Sequence, residues 1–235
     1  VMARSATHLF AVSEASRQLM ISRWHWPAEK SSVIPNGLDI NLFRPASSPP
    51  QNSHLVIGTV GNLRAVKNHA MIIRAAARLV RQGVDLEVRI AGEGEERSAL
   101  ENLACRLDIA DRIRLPGRVQ NIPAFLHQLD LFVLSSDSEQ HPNALNEAMA
   151  CGLPCIATRV GSVAEMLDDG RCGIIIQPGD ENTLVEAIDV LRRDDQRRQT
   201  FARAARQRAC DKYSLDAMLS AYESCLLYTS PSPRD

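Results

Sequence analysis

Residues 135–158, SSDSEQHPNALNEAMACGLPCIAT, decide the fold. They predict the end of a buried strand, a short polar loop, a helix with a proline at its start, a Gly-Leu-Pro break and another strand. Glu139 in the loop and Glu147 on the helix lie eight residues apart, with the helix amino terminus between them. The first turn of a helix leaves its N–H groups unpaired and carries the positive end of the macrodipole. The stretch therefore predicts an anion site flanked by two hydroxyl acceptors.

The sequence around this stretch alternates strand-length apolar runs with helical stretches. The predicted strands are 55–61, 86–92, 112–117, 131–136, 154–160 and 173–178. The predicted helices are 68–82, 95–107, 122–129, 143–151, 162–168, 181–193, 195–211 and 215–223. Strands and helices in regular alternation, joined by right-handed crossovers, predict an α/β fold with a doubly wound parallel sheet. Such a sheet binds its ligands at the carboxyl ends of its strands.

A separate segment precedes this regular pattern. Residues 6–12 predict a strand, and residues 13–24 predict a helix whose first turn is capped by Ser13. The segment PASSPPQNS at 45–53 is rich in Pro and Ser and carries no charge, so it predicts a linker and a domain boundary. We thus expect a segment 1–44, a linker 45–53, a domain 54–212 and a carboxyl-terminal helix 213–224.

The two ends of the chain carry their own expectations. The first residues already lie within an apolar strand pattern, so we expect the natural amino terminus to lie upstream. Residues 225–235, CLLYTSPSPRD, break off the helical pattern and continue as a polar tail with two prolines. Codons that can encode them resemble a transposase adapter used in DNA library preparation, so we expect translated adapter there. A native disordered terminus is the alternative.

Charge and composition exclude several classes of protein. The net charge of −1, with acids and bases interspersed, does not favour nucleic acid as a partner. The apolar runs have the length of strands and are too short to span a membrane as helices. No C-x-x-C pair occurs among the six cysteines, so they predict reduced core thiols rather than a disulfide frame or a zinc site.

Residues 61–67, GNLRAVK, follow the first strand of the large domain. A glycine at the end of a strand, then Arg64 and Lys67 before a helix, favours a grip on a diphosphate, since charge-assisted hydrogen bonds contribute roughly 1.5–3 kcal/mol each. The alternative is a solvated loop with ordinary surface cations. The position directly after the first strand favours the functional interpretation.

Two other patterns favour structural interpretations. Residues 92–97, GEGEER, could be mistaken for a dinucleotide fingerprint, but Arg97 replaces the third glycine and the carboxylates would repel a pyrophosphate. A tight turn is the better interpretation. Asp137 and Glu139 form a short D-x-E without a nearby third ligand, so we predict a polar loop and no metal site. Among the histidines, His141 alone is a site candidate.

The start of the helix after His141 bears on the anion site. Pro142 suits the first helical position, whereas His141 before it is a poor cap. The N–H groups of Asn143, Ala144 and Leu145 are therefore expected to lack a protein partner and to be open to a phosphate. Alternatively, Asn143 itself caps a helix that starts one residue later.

Two later helices have candidate caps at their starts. Ser162 with Glu165 fits the capping-box spacing, as does Thr183 with its glutamate three residues on. Asp180 competes with Thr183 for the second of these caps. Glu165 is accordingly interpreted as a cap partner and not as a catalytic acid.

Taken together, these motifs resemble the retaining glycosyltransferases of family 4, which have the GT-B fold of two facing Rossmann-like domains. The resemblance extends from about residue 6 to residue 224. It is carried by 33–39 (VIPNGLD), 43–45 (FRP), 61–67, 91–94 (AGEG) and 139–147, the family's E-x7-E signature, which is followed by AMACGLP.

The resemblance implies a metal-independent transfer of a sugar from a nucleotide-diphospho-sugar, UDP-linked by family frequency, with no cofactor. Glu147 would bind the ribose hydroxyls and Glu139 a hydroxyl of the sugar, while Arg64 and Lys67 would stabilise the departing diphosphate. The implied catalytic residues are Glu139, Arg64 and Lys67, and the implied donor-binding residues are Glu147, Asn143, Ala144, Leu145, His141, Gln140, Gly61 and Asn62.

Two departures from the family pattern affect the donor site. The family usually has Arg where this chain has Asn62, so either Arg64, two positions on, supplies that charge or donor affinity falls. After the first glutamate the family often has Gly and an aromatic or aliphatic residue, whereas this chain has Gln140 and His141. Side chains at these positions would alter the sugar pocket.

By the same resemblance, residues 1–44 are the last part of an acceptor-binding domain, and 54–212 form the nucleotide-sugar-binding domain. We therefore expect this chain to bind nucleotide but to transfer little sugar alone. The whole protein would act in the cytoplasm on an acceptor saccharide or lipid-linked saccharide, with peripheral membrane association. A GT-B epimerase or phosphorylase and a non-catalytic nucleotide-sugar-binding module are the alternatives.

Overall fold

The computed structural model describes residues 6–48, 50 and 52–229. The strands are β1 Leu9–Ala11, β2 Ser31–Val33, β3 Leu55–Val60, β4 Leu86–Ala91, β5 Ile113–Gly117, β6 Leu131–Leu134, β7 Cys155–Thr158 and β8 Ile174–Ile176. The α-helices are α1 Glu14–Trp24, α2 His69–Arg81, α3 Arg97–Arg106, α4 Ile122–Leu126, α5 Asn143–Ala150, α6 Val163–Met166, α7 Glu181–Arg193, α8 Asp195–Lys212 and α9 Leu215–Thr229.

The large sheet has the strand order β5-β4-β3-β6-β7-β8, and every neighbouring pair is parallel. The chain enters at the central strand β3, winds outward to β5, returns to β6 beside β3 and winds outward again to β8. The predicted doubly wound α/β fold is confirmed. Because the winding direction reverses between β3 and β6, the loops that leave these two strands open a crevice at their carboxyl ends.

The central strands are apolar because both of their faces are buried. Val56 and Phe132 pack into the core on the α5 side of the sheet, whereas Ile57 and Val133 pack into the core that contains α2 and α7. Neighbouring residues of a strand point to opposite faces, so a strand between two helical layers is an uninterrupted apolar run. This is why β6 and β7 are recognisable from the sequence.

Helix α8 ties three other helices together through arginines that bind the carbonyl groups at their carboxyl ends. Arg198 donates to the carbonyls of Leu191 and Arg192 at the end of α7. Arg206 donates to the carbonyl of Ala150 at the end of α5, and Arg208 does so to two carbonyls at the end of α6. The last carbonyls of a helix lack intrahelical partners, so these arginines satisfy groups that would otherwise be unpaired.

The amino-terminal segment forms a two-stranded parallel sheet, β1 with β2, and α1 connects the two strands. The predicted cap is confirmed, because the Ser13 hydroxyl accepts a hydrogen bond from the Ser16 amide at 3.1 Å. Helix α9 returns to this small sheet, where the rings of Phe10 and Tyr222 lie 5.0 Å apart.

The prediction that the helical pattern ends before Cys225 is wrong. Helix α9 continues to Thr229, and the Cys225 sulfur lies 3.5 Å from the Ser32 hydroxyl oxygen of β2. Packing against the small sheet extends the helix beyond the end that the local pattern indicates. The predicted polar tail at 230–235 lies outside the described residues, and the adapter interpretation stays a prediction, as do the predicted domain boundaries.

Candidate functional site

The crevice is bounded by two segments, which we call the cation loop (residues 61–67) and the carboxylate segment (residues 135–147). The cation loop leaves β3 and ends in a short 3-10 turn, Ala65–Lys67, before α2. The carboxylate segment leaves β6 and runs into α5. Both therefore lie at the reversal point of the sheet, as the sequence predicts for a ligand site.

The loop after β4 supports the cation loop from below, through two glycines. A Cβ atom on Gly92 would lie 1.9 Å from the Gly61 carbonyl oxygen, and one on Gly94 would lie 2.3 Å from that of Leu63. The Leu63 amide donates to the Glu93 carbonyl at 2.9 Å. Residues 92–94 are thus a close backbone contact, in agreement with the tight-turn interpretation and not with a dinucleotide site.

Lys67 and Glu139 meet across the crevice. The Lys67 ammonium donates to the Glu139 carboxylate at 2.5 Å, and the Ser136 hydroxyl donates to the same oxygen at 2.7 Å. The Ser135 hydroxyl donates to the Lys67 carbonyl at 2.8 Å, and this bond holds the backbone of Lys67 in place. Two residues far apart in the sequence, both predicted to be catalytic, are brought into direct contact.

Asp137 holds the two segments together. Its carboxylate accepts a hydrogen bond from the Asn68 side chain at 3.0 Å, and its amide donates to the Val66 carbonyl at 2.8 Å. The aspartate of the D-x-E pattern therefore connects the carboxylate segment to the cation loop and the residue after it. Across the part of the chain that the structure describes, no three His, Cys, Asp or Glu side chains cluster in a way that could hold a metal ion.

Arg64, Asn62 and Gly61 line the outer side of the cation loop. The Arg64 and Asn62 side chains are exposed and make no hydrogen bond within residues 6–48, 50 and 52–229. A Cβ on Gly61 would meet only ordinary contacts at 3.8 Å from the His69 ring, so the protein itself does not demand a glycine there. This surface is open to a bound molecule.

Helix α5 begins at Asn143, and Pro142 is its cap residue rather than its first helical residue. The Leu145 amide donates to the Pro142 carbonyl at 3.1 Å, so the prediction that this amide is unpaired is wrong. A tight i to i+3 bond of this kind is common in the first turn of a helix. The amides of Asn143 and Ala144 find no acceptor among the described residues, as predicted, and no side chain caps the helix.

Glu147 lies one turn further along α5 and is half-buried. Its carboxylate has no hydrogen-bond partner in the described part of the chain, and burial raises its pKa to about 7. It lines a cavity of about 290 Å³ together with Asn36, Asn143 and Asn146. A half-buried carboxylate next to an empty space of this size is suited to accept hydrogen bonds from ligand hydroxyl groups.

The two residues that depart from the family pattern behave differently. Gln140 is exposed, and its side-chain oxygen accepts a hydrogen bond from the Ser16 hydroxyl of α1. His141 is buried, its Nδ1 lies 2.9 Å from the Ser162 hydroxyl, and burial lowers its pKa to about 4. Its donor-binding role stays a prediction, but its ring lies beneath the loop surface beside Tyr213.

The predicted capping box at Ser162 does not form. The structure gives α6 no side-chain cap, because the Ser162 hydroxyl pairs with His141 instead. The cap of α7 is Asp180 and not Thr183, because the Asp180 carboxylate accepts a hydrogen bond from the Thr183 amide at 3.0 Å.

A sequence model of the protein family described as "Glycosyl transferases group 1" matches residues 43–208. The chain belongs to this family. The match includes the cation loop, the carboxylate segment and the whole six-stranded sheet.

Curated relatives of this group 1 glycosyltransferase sequence agree with the assignment. N-acetyl-alpha-D-glucosaminyl L-malate synthase from Bacillus anthracis is 30% identical over 172 residues, which are 73% of this chain and 45% of the relative. Alpha-D-kanosaminyltransferase from Streptomyces kanamyceticus is 28% identical over 226 residues, which are 91% of this chain and 58% of the relative. The chain spans about half the length of the curated relatives it matches.

Solved structures place the chain among GT-B glycosyltransferases. HepE from Anabaena in complex with UDP is 25% identical and superposes with a TM-score of 0.89, covering 96% of this chain and 65% of HepE. HepE in complex with UDP-glucose gives a TM-score of 0.86 at the same identity. Sucrose-phosphate synthase from Thermosynechococcus elongatus, at 21% identity and a TM-score of 0.84, shares the fold.

The structure adds residues to the candidate site that the sequence interpretation did not include. Ser136 and Asp137 hold Glu139 and the loop around it, and Asn36 reaches the start of α5 from the amino-terminal segment. Asn36 belongs to the motif at 33–39, which carried the family resemblance without a role of its own. Its place beside Glu147 depends on tertiary packing, so no local pattern indicates it.

Proposed function

We propose that this chain is the donor-binding half of a retaining, metal-independent glycosyltransferase that moves a sugar from a UDP-linked donor to an acceptor hydroxyl. The observation that carries the proposal is the arrangement at the start of α5. The amides of Asn143 and Ala144 have no acceptor among the described residues, and the half-buried Glu147 carboxylate lies one turn further along the helix. Lys67 pairs with Glu139 in the loop that leads into the helix. HepE, a structural neighbour, has been solved with UDP and with UDP-glucose.

In this mechanism the diphosphate lies between the cation loop and the amino terminus of α5. Negative charge builds on the departing diphosphate when its bond to the sugar breaks, and donors that already point at it lower the barrier. Lys67, Arg64 and the first amides of α5 supply this stabilisation, which in our proposal makes a metal ion or another cofactor unnecessary. The acceptor hydroxyl attacks on the face that the leaving group vacates and gives its proton to the departing diphosphate oxygen, so the configuration is retained.

The carboxylates orient the donor. Glu147 accepts hydrogen bonds from the ribose hydroxyls, and Glu139 accepts one from a hydroxyl of the sugar. The ion pair with Lys67 keeps Glu139 close to the diphosphate, so that the sugar and the leaving group are held by neighbouring groups. Arg64 takes over the role of the arginine that the family usually has at the position of Asn62.

The acceptor, in this proposal, is a saccharide or lipid-linked saccharide bound by the domain of which residues 1–44 are a part. The reaction would take place in the cytoplasm, with the whole protein associated peripherally with the membrane. None of the helices within the described residues is long and apolar enough to cross a membrane. The donor-binding half alone transfers little or no sugar.

Thermal unfolding with and without UDP tests the proposal. A ligand that binds only the native state raises the melting temperature by mass action. We expect UDP to raise the melting temperature of the wild type and Glu147→Ala to abolish the shift, while Glu186→Ala, a change of an exposed carboxylate on α7, leaves it intact. Unchanged UDP affinity in Glu147→Ala would remove the ribose role. UDP binding without any sugar transfer by the full-length protein would favour a nucleotide-sugar-binding module.

A further inference from the structure

The cavity beside Glu147 has a wall that comes from outside the large sheet. Residues Asn36, Gly37 and Leu38 follow β2, and they form one side of the space of about 290 Å³. Asn143, Asn146 and Glu147 of α5 form the opposite side, and Met218 of α9 closes it. The cavity is therefore shared between the amino-terminal segment and the donor helix.

This wall is held in place by several contacts. The Leu38 amide donates to the Tyr213 carbonyl, and the Leu215 amide donates to the Leu38 carbonyl, both at 2.9 Å. A Cβ on Gly37 would lie 2.8 Å from that of Met218, so no side chain fits at this position. The loop is packed closely against the start of α9, and the side chain of Asn36 projects from a fixed backbone.

The Asn36 carboxamide reaches across the cavity to the donor helix. Its Nδ2 donates a hydrogen bond to the Asn143 side-chain oxygen at 3.0 Å. This bond uses one of the two N–H groups of Asn36, and its other N–H and its oxygen have no protein partner within the described residues. Polar groups of Asn36 and Asn143 therefore remain available beside the Glu147 carboxylate.

The chemistry of the cavity matches a pair of neighbouring hydroxyl groups. When it is ionised, the Glu147 carboxylate can only accept hydrogen bonds, so in that form it binds hydroxyl hydrogens and not hydroxyl oxygens. The oxygens of a diol need N–H donors, and the carboxamides of Asn36 and Asn143 supply them at this cavity. The third carboxamide of the lining, that of Asn146, already donates to the Tyr213 carbonyl. The carboxylate and the carboxamides can therefore bind both the hydrogen and the oxygen of a ribose hydroxyl group.

We infer that Asn36 is a further donor-binding residue, which donates a hydrogen bond to the oxygen of one of the two ribose hydroxyl groups. The inference rests on the proposed function, since it assigns the ribose to the cavity of Glu147. It adds a residue of the amino-terminal segment to a site otherwise built by the large sheet.

The test compares the binding of UDP with that of 2′-deoxy-UDP and 3′-deoxy-UDP by calorimetry. We expect Asn36→Ala to weaken UDP binding roughly 3- to 10-fold, the effect of one hydrogen bond. The deoxy analogue that lacks the contacted hydroxyl should bind wild type and Asn36→Ala equally well. Asn41→Ala, an exposed change in the same loop, should leave all three affinities unchanged.

Each other outcome contradicts the inference. An equal loss for UDP and both analogues would show that Asn36 supports the loop without contacting a hydroxyl. Unchanged UDP affinity would show that it makes no contact of consequence. Melting curves without ligand verify that Asn36→Ala is folded. If the wild type binds no UDP at all, the proposed function fails, and that result is distinct from a loss confined to Asn36→Ala.

Discussion

The cation loop and the carboxylate segment border the same crevice but present their charges in opposite ways. In the cation loop the backbone is hydrogen-bonded to the loop after β4, which Gly92 and Gly94 allow to approach closely, while Arg64 is exposed. In the carboxylate segment the two glutamates are themselves sheltered: the Glu139 side chain is only 12% exposed and Glu147 is half-buried. Charges sheltered from water interact more strongly than exposed ones, which salt screens. Lys67, with a side chain 26% exposed, lies between these two extremes.

Substitution of Lys67 should have the largest effect in this comparison. Lys67→Ala removes a cation from the proposed diphosphate site and leaves the Glu139 carboxylate with the Ser136 hydroxyl as its remaining donor. We expect UDP affinity to fall about 10- to 100-fold, since charge-assisted hydrogen bonds contribute about 1.5–3 kcal/mol. Calorimetric titration measures the change, and Lys212→Ala, at an exposed end of α8, is the control. A loss no greater in Lys67→Ala than in this control would contradict the role of the ion pair.

Gly94→Ala tests whether the loop after β4 supports the cation loop. The added Cβ would lie 2.3 Å from the Leu63 carbonyl oxygen, a backbone atom that cannot move alone. We expect the free energy of unfolding to fall by about 1–3 kcal/mol, as for overpacked sites, and UDP affinity to fall as the cation loop shifts. Denaturant unfolding and calorimetry measure the two effects. Gly83→Ala, where no atom lies within 4 Å of the new Cβ, should leave UDP affinity unchanged. If Gly94→Ala binds UDP with wild-type affinity, the loop after β4 does not support the cation loop.

The pH dependence of stability should reveal the burial of Glu147. Its pKa is raised from the ordinary value of 4.5 to about 7 in the folded protein, so the folded state binds more protons than the unfolded state between these values. The free energy of unfolding therefore falls as pH rises from about 4.5 to about 7. Glu147→Gln removes this contribution, and the wild type should lose about 1–2 kcal/mol relative to the variant across the window.

Urea unfolding at several pH values between 4.5 and 7.5 measures this difference. Glu186→Gln, a change of an exposed carboxylate, should follow the wild-type curve. Parallel curves for wild type and Glu147→Gln would mean that solvent reaches the Glu147 carboxylate more freely than the cavity indicates.

The sequence predicts much of the scaffold because burial leaves a strong local pattern. β6 and β7 are buried on both faces, so they are continuous apolar runs, and the predicted elements differ from the observed ones by only a few residues at most ends. The family resemblance assigns Lys67 and Glu139 to one site, and the fold topology brings the ends of β3 and β6 together, so that these two side chains are in contact.

What the sequence does not predict depends on partners distant in the chain. Ser162 fits a capping box, but its hydroxyl is hydrogen-bonded to His141, which lies in another loop. Helix α9 continues past Cys225 because it packs against the small sheet, and the contact of Asn36 with Asn143 needs both segments in place. In each case a local pattern gives the options and a tertiary contact selects among them.

Arg64→Ala should have the smallest effect and thus sharpens the contrast between exposed and sheltered charges. Because the guanidinium is exposed, we expect a loss of UDP affinity of roughly 2- to 5-fold at low salt. The loss should vanish at about 1 M salt, where the Debye length is about 3 Å, whereas the defect of Lys67→Ala should persist because its partner Glu139 is sheltered. Calorimetric titrations at two salt concentrations measure both, with Arg81→Ala on the far end of α2 as the control. If Arg64→Ala costs more affinity than Lys67→Ala and keeps that cost in high salt, Arg64 becomes sheltered when the donor binds, and the contrast between the two segments does not hold in the bound state.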